Sequence, residues 1–310
     1  IDFLCAWILI FFAAALVLFF AGSARYLLPI ASPLAILVSE ARKLVVPAFF
    51  WNLALGLGLA TVNFQHWSAY RDFTNSLKGD IAEKRVWING ELGMRFYLES
   101  AGALPLPKGR VLRAGEWVVS SELAFAENVT APLALISARE IWPNLPLRII
   151  GLGSRSGYSS ASFGLRPFDI RTGSLDRVRA EAVLERKPTL SYLPMNAPEA
   201  QVQIVSGVYN LEQNAWRWAG PRAVLMLKAP PEPLPLHIKL FVPDMSPARR
   251  LRVLLDNELV HEQTFPAAGT YTIVTPRALG ATVVLQFDKT FSVPPDRRDL
   301  AAIISEIGFR

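Results

Sequence analysis

The sequence predicts a multi-domain membrane protein: an α-helical transmembrane segment at 1–64, a small α/β domain at 65–175 and a C-terminal antiparallel β-sandwich, jelly-roll-like, at 176–310. Three observations lead there. Residues 3–21 are nineteen positions without a charge, and 44–64 form a second apolar run. Between 65 and 175, short apolar runs of strand period alternate with runs of helical period, the signature of an α/β layer. After 176 the pattern changes to short strand-like runs separated by Pro and Gly clusters, as in sandwiches and jelly rolls.

Composition narrows the class. Hydrophobic residues make up 52% of the 310, and the excess lies before Phe64. The net charge is +6 with no run of five like charges, so no nucleic-acid stripe is expected. Cys5 is the only cysteine, which excludes an intrachain disulfide. The chain starts at Ile1 and enters an apolar helix at once, so it is expected to be a piece of a longer protein.

The run 3–21 is long enough to cross a hydrocarbon core of about 30 Å. A signal peptide is the competing reading, but a basic n-region is missing and Ala-Gly-Ser is a poor cleavage site. The span 44–64 carries Pro47 near its start and Asn52, Thr61 and Asn63 as polar members. Between the two, 25–43 is broken by Pro29 and Pro33 and reads as an irregular third span or a re-entrant segment. Arg42 and Lys43 in a short loop point to the cytoplasmic side, which puts Arg25 and everything after Phe64 outside. Arg25 is the only basic residue in the first 41. Two readings stand for it: a snorkelling interface cation with Tyr26 as an aromatic anchor, or a ligand-facing arginine. Three such helices look like the last spans of a larger bundle.

In the α/β domain, 67–77 reads as a short amphipathic helix leaving the membrane, with Trp67, Tyr70 and Phe73 on one face. A strand at 85–88, a turn at Asn89-Gly90 and a helix at 91–100 follow, the helix with Leu92, Phe96 and Glu99 at its turns and Gly102 at its end. Trp87, Tyr97 and Glu99 are expected to hold this domain together. Further strands are expected at 117–120, 133–137 and 147–150. Gly151-Leu152-Gly153 lacks the third glycine of a dinucleotide fingerprint. The stretch 153–164 reads either as a surface loop or as a flap that offers Arg155 and Tyr158 to a phosphate or sugar.

In the last domain, 176–187 is neutral between helix and strand and 188–198 reads as a linker. Strands are expected at 202–206, 223–227, 237–241, 251–255, 271–274 and 282–287, with Asp256-Asn257 as a hairpin turn. The layout resembles carbohydrate-binding-type sandwiches attached to cell-surface enzymes. Trp216 and Trp218 flank Arg217 at strand period, with Glu212 upstream and Arg222 downstream. Exposed, the pair is a stacking platform for sugar rings; buried, it is core, and each indole N–H needs a partner. Asp296-Arg297-Arg298-Asp299 reads as a solvated turn or local ion-pair set. His66, His237 and His261 have no metal-ligand spacing, and no GxSxG elbow occurs. No metal and no cofactor are expected, and no catalytic residue is assigned within the chain.

Two elements carry a resemblance. Ala24-Arg25-Tyr26-Leu27-Leu28-Pro29 after an apolar helix, followed by Pro33 and another apolar run, is the first. The second is 85–103, RVWINGELGMRFYLESAGA, just past the membrane. Together, over roughly 1–170, they resemble bacterial dolichyl-phosphate-mannose-protein mannosyltransferase-like proteins, polytopic glycosyltransferases of GT-C type. The resemblance implies a polyprenyl-phosphate-linked sugar donor, transfer to a glycan, lipid or protein acceptor on the outer face of the bacterial plasma membrane, and a catalytic acidic residue upstream of Ile1. It places Arg25 and Tyr26 at the lipid phosphate. The alternative is a non-catalytic, membrane-anchored sugar-binding or assembly module. A transporter subunit would show paired broken helices, and only one broken segment is present.

Overall fold

The computed structural model describes residues 2–18, 29–39, 42–91, 93–123, 126–157, 166–247 and 250–310. Arg25, Tyr26 and Tyr158 lie outside the described residues.

The chain opens with α1 (Asp2–Leu18), α2 (Ala31–Ser39) and α3 (Arg42–Ser76), followed by the short α4 (Lys78–Glu83). Helix α3 is 35 residues long, so it runs about 50 Å. It joins into one rod the span at 44–64 and the helix at 67–77, which the sequence reading kept apart. The segment holds no Pro or Gly after Gly58 and stays helical through Gln65 and His66. Among the described residues, the part Val45–Ser76 is the one helix long and apolar enough to cross a membrane. Its two halves differ. Val46, Phe49, Phe50, Trp51, Leu57 and Phe64 are exposed, whereas His66, Tyr70 and Phe73 are buried in the globular part.

That globular part begins with a five-stranded sheet built from β1 (Val86–Asn89), β2 (Leu104–Pro105), β3 (Trp117–Ser121), β4 (Leu133–Ile141) and, after the two-stranded β5 (Leu147–Arg148) and β6 (Asp169–Ile170), β7 (Asp176–Val183). Helix α5 (Gly93–Ser100) connects β1 to its parallel neighbour β2. The order is β2-β1-β3-β7-β4, parallel across the first three and antiparallel at β7 and β4. Strand alternation sorts the faces. Val86, Ile88, Trp117, Val119, Val178 and Ala180 pack with Tyr70 and Phe73 of α3 and Met94 and Leu98 of α5. On the other face Trp87 meets Val118 and Val183 under the loops.

Three expectations change here. Strand β7 begins where the sequence reading starts the last domain, yet it sits between β3 and β4 in this sheet. In α5 the buried stripe is Met94 and Leu98, not Phe96 and Glu99, and Leu92 lies outside the described residues: Phe96 is 68% exposed, because the i, i+4 pair Met94–Leu98 meets α3. Glu99 therefore holds nothing in the core; it is exposed and pairs with Arg95 at 2.8 Å. Trp87 is buried, and its indole N–H donates to Glu116 at 3.0 Å. Tyr97 packs partly buried against the core.

The remaining strands are β8 (Tyr192–Pro194), β9 (Ile204–Glu212), β10 (Trp216–Met226), β11 (Leu234–Val242), β12 (Arg250–Leu255), β13 (Glu258–Thr264), β14 (Gly269–Ala278), β15 (Thr282–Phe287) and β16 (Ala302–Phe309), with one helical turn, α6 (Ala200–Gln203), before β9. They pair antiparallel in the order β13-β12-β15-β10-β16-β11-β14, with β8 on β16 and β9 on β10. The end strands β13 and β14 also touch, so the sheet nearly closes around Leu225, Ile238, Val253, Phe265, Leu285 and Ile304. The antiparallel β-sandwich expected from the sequence is thus present, with Asp256 and Asn257 at positive φ (48° and 74°) in the turn between β12 and β13. Strand β10 runs unbroken from Trp216 through Pro221, where its pairing with β9 shifts register; a proline is tolerated at such a bulge. The sandwich and the first sheet share one interior, since Val224 and Val284 pack in the same cluster as Ile136 and Val178.

Candidate functional site

A tight turn creates the most distinctive polar-aromatic surface of the sandwich. Gln213 and Asn214 take positive φ (47° and 55°), and the Ala215 N–H returns to the Glu212 carbonyl. This places Glu212 at the end of β9 directly opposite Trp216 at the start of β10. Two residues on, Trp218 comes within reach of the same carboxylate: its indole N–H donates to Glu212 Oε2 at 3.3 Å. The ring is half-buried and meets Phe291 edge-on, with centroids 5.9 Å apart.

The charge cluster expected as a local ion-pair set closes this surface. Arg298 donates to Asp296 at 2.7 Å and to Glu212 at 2.8 Å. Donating to the Asp296 and Glu212 carboxylates holds the guanidinium pKa above its ordinary value, and accepting from Arg298 holds the Asp296 carboxyl below its own. The Arg298 guanidinium also lies 5.2 Å from the Tyr209 ring centre. Glu212, Trp218, Phe291 and Arg298 thus form one patch from β9, β10 and the 290–300 loop. Glu212 and Trp218 were singled out from the sequence as a candidate site and Arg298 only as part of a local charge cluster; the fold brings them together and adds Phe291.

The companions are dispersed. Trp216 is half-buried, and its indole nitrogen is enclosed with no hydrogen-bond partner among the described residues. Arg217 turns inward and donates to the Met195 carbonyl at 3.0 Å and to Gln201 and the Tyr209 carbonyl at 3.3 Å. Arg222 leaves the patch altogether. It donates to the Ile136 carbonyl in β4, and burial lowers its pKa. Arg155 is exposed in the segment between β5 and β6, its backbone N–H donates to Asp169 at 3.0 Å, and it makes no bond to Glu212 or Trp218 among the described residues.

Two clefts with polar linings lie apart from the patch residues. One, of about 560 Å³, lies beneath the 106–114 and 127–132 loops and is lined by Arg110, Glu127, Asn128, Thr130 and Glu185 among others. Arg110 stacks there over Trp87, 4.0 Å from the ring centre. The other, of about 390 Å³, opens on the sandwich between Arg250, Arg252, Glu262, Gln286 and Asp288. No group of three or more metal-ligating side chains occurs among the described residues.

No family model and no curated protein matches the chain. Solved structures that match include the C-terminal carbohydrate-binding module CBM6 of LamC, a marine laminarinase from Zobellia galactanivorans, at 12% identity and TM-score 0.24, over 33% of this chain and 86% of that one. CBM51 from Clostridium perfringens GH95, in complex with methyl-galactose, matches at 14% and 0.21, over 39% and 91%. The secreted serine protease VesC from Vibrio cholerae matches at 9% and 0.26, over 62% and 43%. At these scores the likeness carries no weight for activity.

Proposed function

We propose that this chain is a membrane-attached module whose β-sandwich binds cell-envelope glycan. The observation that carries the reading is the Trp218 patch: a half-buried indole beside a carboxylate and a guanidinium held by mutual hydrogen bonds. A ring face stacks on the apolar side of a sugar, while Glu212 and Arg298 supply an acceptor and donors for hydroxyls. Helix α3 supports attachment, with its exposed apolar half ahead of the globular part. Arg42 and Lys43 at its start fit a cytoplasmic N-terminal end and an extracytoplasmic sandwich in the plasma membrane. The test is binding of envelope polysaccharides to the full chain in nanodiscs. Trp218→Ala is expected to weaken binding two- to tenfold, from about 0.5–1.5 kcal/mol per stacked ring. Equal binding by wild type and variant, or none by wild type, removes the reading.

A second proposal is that the chain serves a GT-C type glycosyltransferase using a polyprenyl-phosphate-linked sugar. The specific observation in its favour is that the 85–103 element forms the β1–α5 unit seated on α3: a Cβ on Gly93 would lie 2.3 Å from the Trp67 ring. In that case Arg25→Ala is expected to abolish donor use and Arg25→Lys to weaken it, since lysine loses the guanidinium fork. Transfer at the wild-type rate by Arg25→Ala removes this proposal.

A further inference from the structure

Between β4 and β7 the chain makes an excursion whose composition differs from its surroundings. Residues 142–175 contain four arginines, Arg148, Arg155, Arg166 and Arg171, no lysine, and a single acidic residue, Asp169. The excursion is anchored to α3 as well as to the sheet, where the Leu175 N–H donates to the Ile141 carbonyl at 2.6 Å. A Cβ on Gly58 would lie 2.7 Å from Leu147 Cδ1 and 3.7 Å from Leu145 Cδ1, and the Asn144 N–H donates to Gln65 at 3.0 Å. The level of that contact is informative. A hydrocarbon core of about 30 Å takes roughly twenty helical residues, so if Val45 lies near one boundary Phe64 lies near the other. Gly58, six residues before Phe64, is then about 9 Å inside it. On the other sides of the same turns Leu57 and Phe64 are 61% and 69% exposed. With α3 set in the membrane in this way, Leu145 and Leu147 would touch it at membrane depth.

The rest of the excursion suits an interface. Trp142 and Ile170 are 60% and 67% exposed. Arg148 is fully buried and is held by backbone carbonyls: Arg171 at 2.6 Å, Gly173 at 3.1 Å and Ser174 at 3.4 Å. It ties the β5–β6 pair to the 171–174 turn. Asp169 accepts from the Arg155 N–H and the Ile170 N–H, both at 3.0 Å, and from the Arg166 guanidinium at 3.3 Å. Of the three exposed arginines, Arg155, Arg166 and Arg171, only Arg166 pairs its guanidinium with this carboxylate, and no carboxylate bonds the Arg155 or Arg171 side chain among the described residues.

We propose that the described parts of this excursion, 142–157 and 166–175, form a membrane-surface foot that binds anionic phospholipid headgroups through Arg155, Arg166 and Arg171. Leu145, Leu147, Trp142 and Ile170 enter the interface, and the three guanidiniums lie at the level of the lipid phosphates, which they hold by charge-assisted, bidentate bonds. The inference rests on α3 crossing the membrane.

The experiment uses the full chain in nanodiscs of phosphatidylcholine with or without phosphatidylglycerol, and reads the preference for spin-labelled phosphatidylglycerol over spin-labelled phosphatidylcholine. Wild type is expected to prefer the anionic lipid, and salt at about 1 M to erase the preference. The double variant Arg155→Gln/Arg166→Gln is expected to lower it by up to about fivefold per arginine. Arg171 also donates to the Gly153 carbonyl, so Arg171→Gln is made separately and its fold checked by circular dichroism. Wild type without preference, or a double variant with undiminished preference, overturns the proposal. The part of the brominated-lipid quenching that Trp51→Phe removes reports α3 independently of Trp142. Quenched Trp51 with no lipid preference sinks the foot alone; unquenched Trp51 sinks the membrane crossing and the foot with it.

Discussion

Tyr70 and Asp176, 106 positions apart in sequence, share a 2.6 Å hydrogen bond in which the phenol donates to Asp176 Oδ2. Both are fully buried. Asp176 also accepts from Ser121 Oγ at 2.6 Å, the Leu123 N–H at 3.0 Å and the Arg177 N–H at 2.7 Å. His66 stands 2.9 Å from the same phenol oxygen, one turn earlier on α3. The carboxylate at the start of β7 thus ties the long helix to two strands by bonds made away from water. Tyr70→Phe keeps the ring but leaves a buried acceptor short of one donor, at an expected cost of about 1–3 kcal/mol. Thermal unfolding of the full chain in detergent measures it, and an unchanged midpoint would mean the tie contributes nothing.

Acid should loosen the underside of the same sheet. Burial alone would raise the Glu116 pKa, but the Arg113 N–H, the Trp87 indole N–H and Arg110 outweigh it and hold the carboxyl below its ordinary value. A depressed folded-state pKa contributes stability above the unfolded value, near 4.3, that is lost as pH falls through the folded one. Wild type is therefore expected to lose its advantage over Glu116→Gln as pH drops below about 5. Melting both proteins across that range, with Trp87 fluorescence as the local reporter, gives the answer. Parallel melting curves at every pH would remove Glu116 as the source.

Gly207 sits where β9 crosses the bulge in β10. Its φ is +68°, and a Cβ there would fall 1.8 Å from the Arg222 carbonyl oxygen. Backbone cannot yield as a flexible side chain can. Gly207→Ala combines a left-handed residue, about 1–3 kcal/mol, with a clash that must displace β9. The variant is expected to lose more than about 2 kcal/mol of stability. Denaturant unfolding at fixed detergent concentration tests this; a loss below half that would show that β9 moves freely.

What was legible in the sequence follows the range of the forces involved. The sandwich, the Asp256-Asn257 turn and the β1–α5 unit were readable because period-two alternation, turn chemistry and a terminal glycine are local signals. Strand β7 was not, though it alternates Val178, Ala180 and Ala182 inward with Arg177, Arg179 and Glu181. Alanine is a weak strand former, and the charges masked the period until neighbours on both sides supplied the burial. The α5 face was misread because Phe96 outranks Met94 in hydrophobic size, whereas contact with α3 decides which side is buried. At the Trp218 patch, Glu212 was visible from its proximity in sequence. Arg298 and Phe291 are more than seventy positions away, and only the sheet order brings them there.

The seam between the first sheet and the sandwich yields the last expectation. Arg222 of β10 donates to the Ile136 carbonyl of β4, and Asn257 in the β12–β13 turn exchanges two bonds with the Ala138 backbone, at 3.1 and 3.4 Å. Val224 and Val284 fill the space beside them in one interior with Ile136 and Val178. Two units joined by a continuous apolar core and backbone-directed bonds should unfold together. A single transition is expected for the globular part of the wild type. Val224→Ala with Val284→Ala removes two carbons from each side chain, about 1.5 kcal/mol per site before any cavity term. Adding Arg222→Ala leaves the Ile136 carbonyl without its side-chain donor. With the seam weakened on both counts, hydrogen exchange in β4 and β7 should separate from exchange in β11 and β16. If both groups of strands still exchange at one common free energy, the coupling runs through α3 and the 184–192 connection instead of the seam.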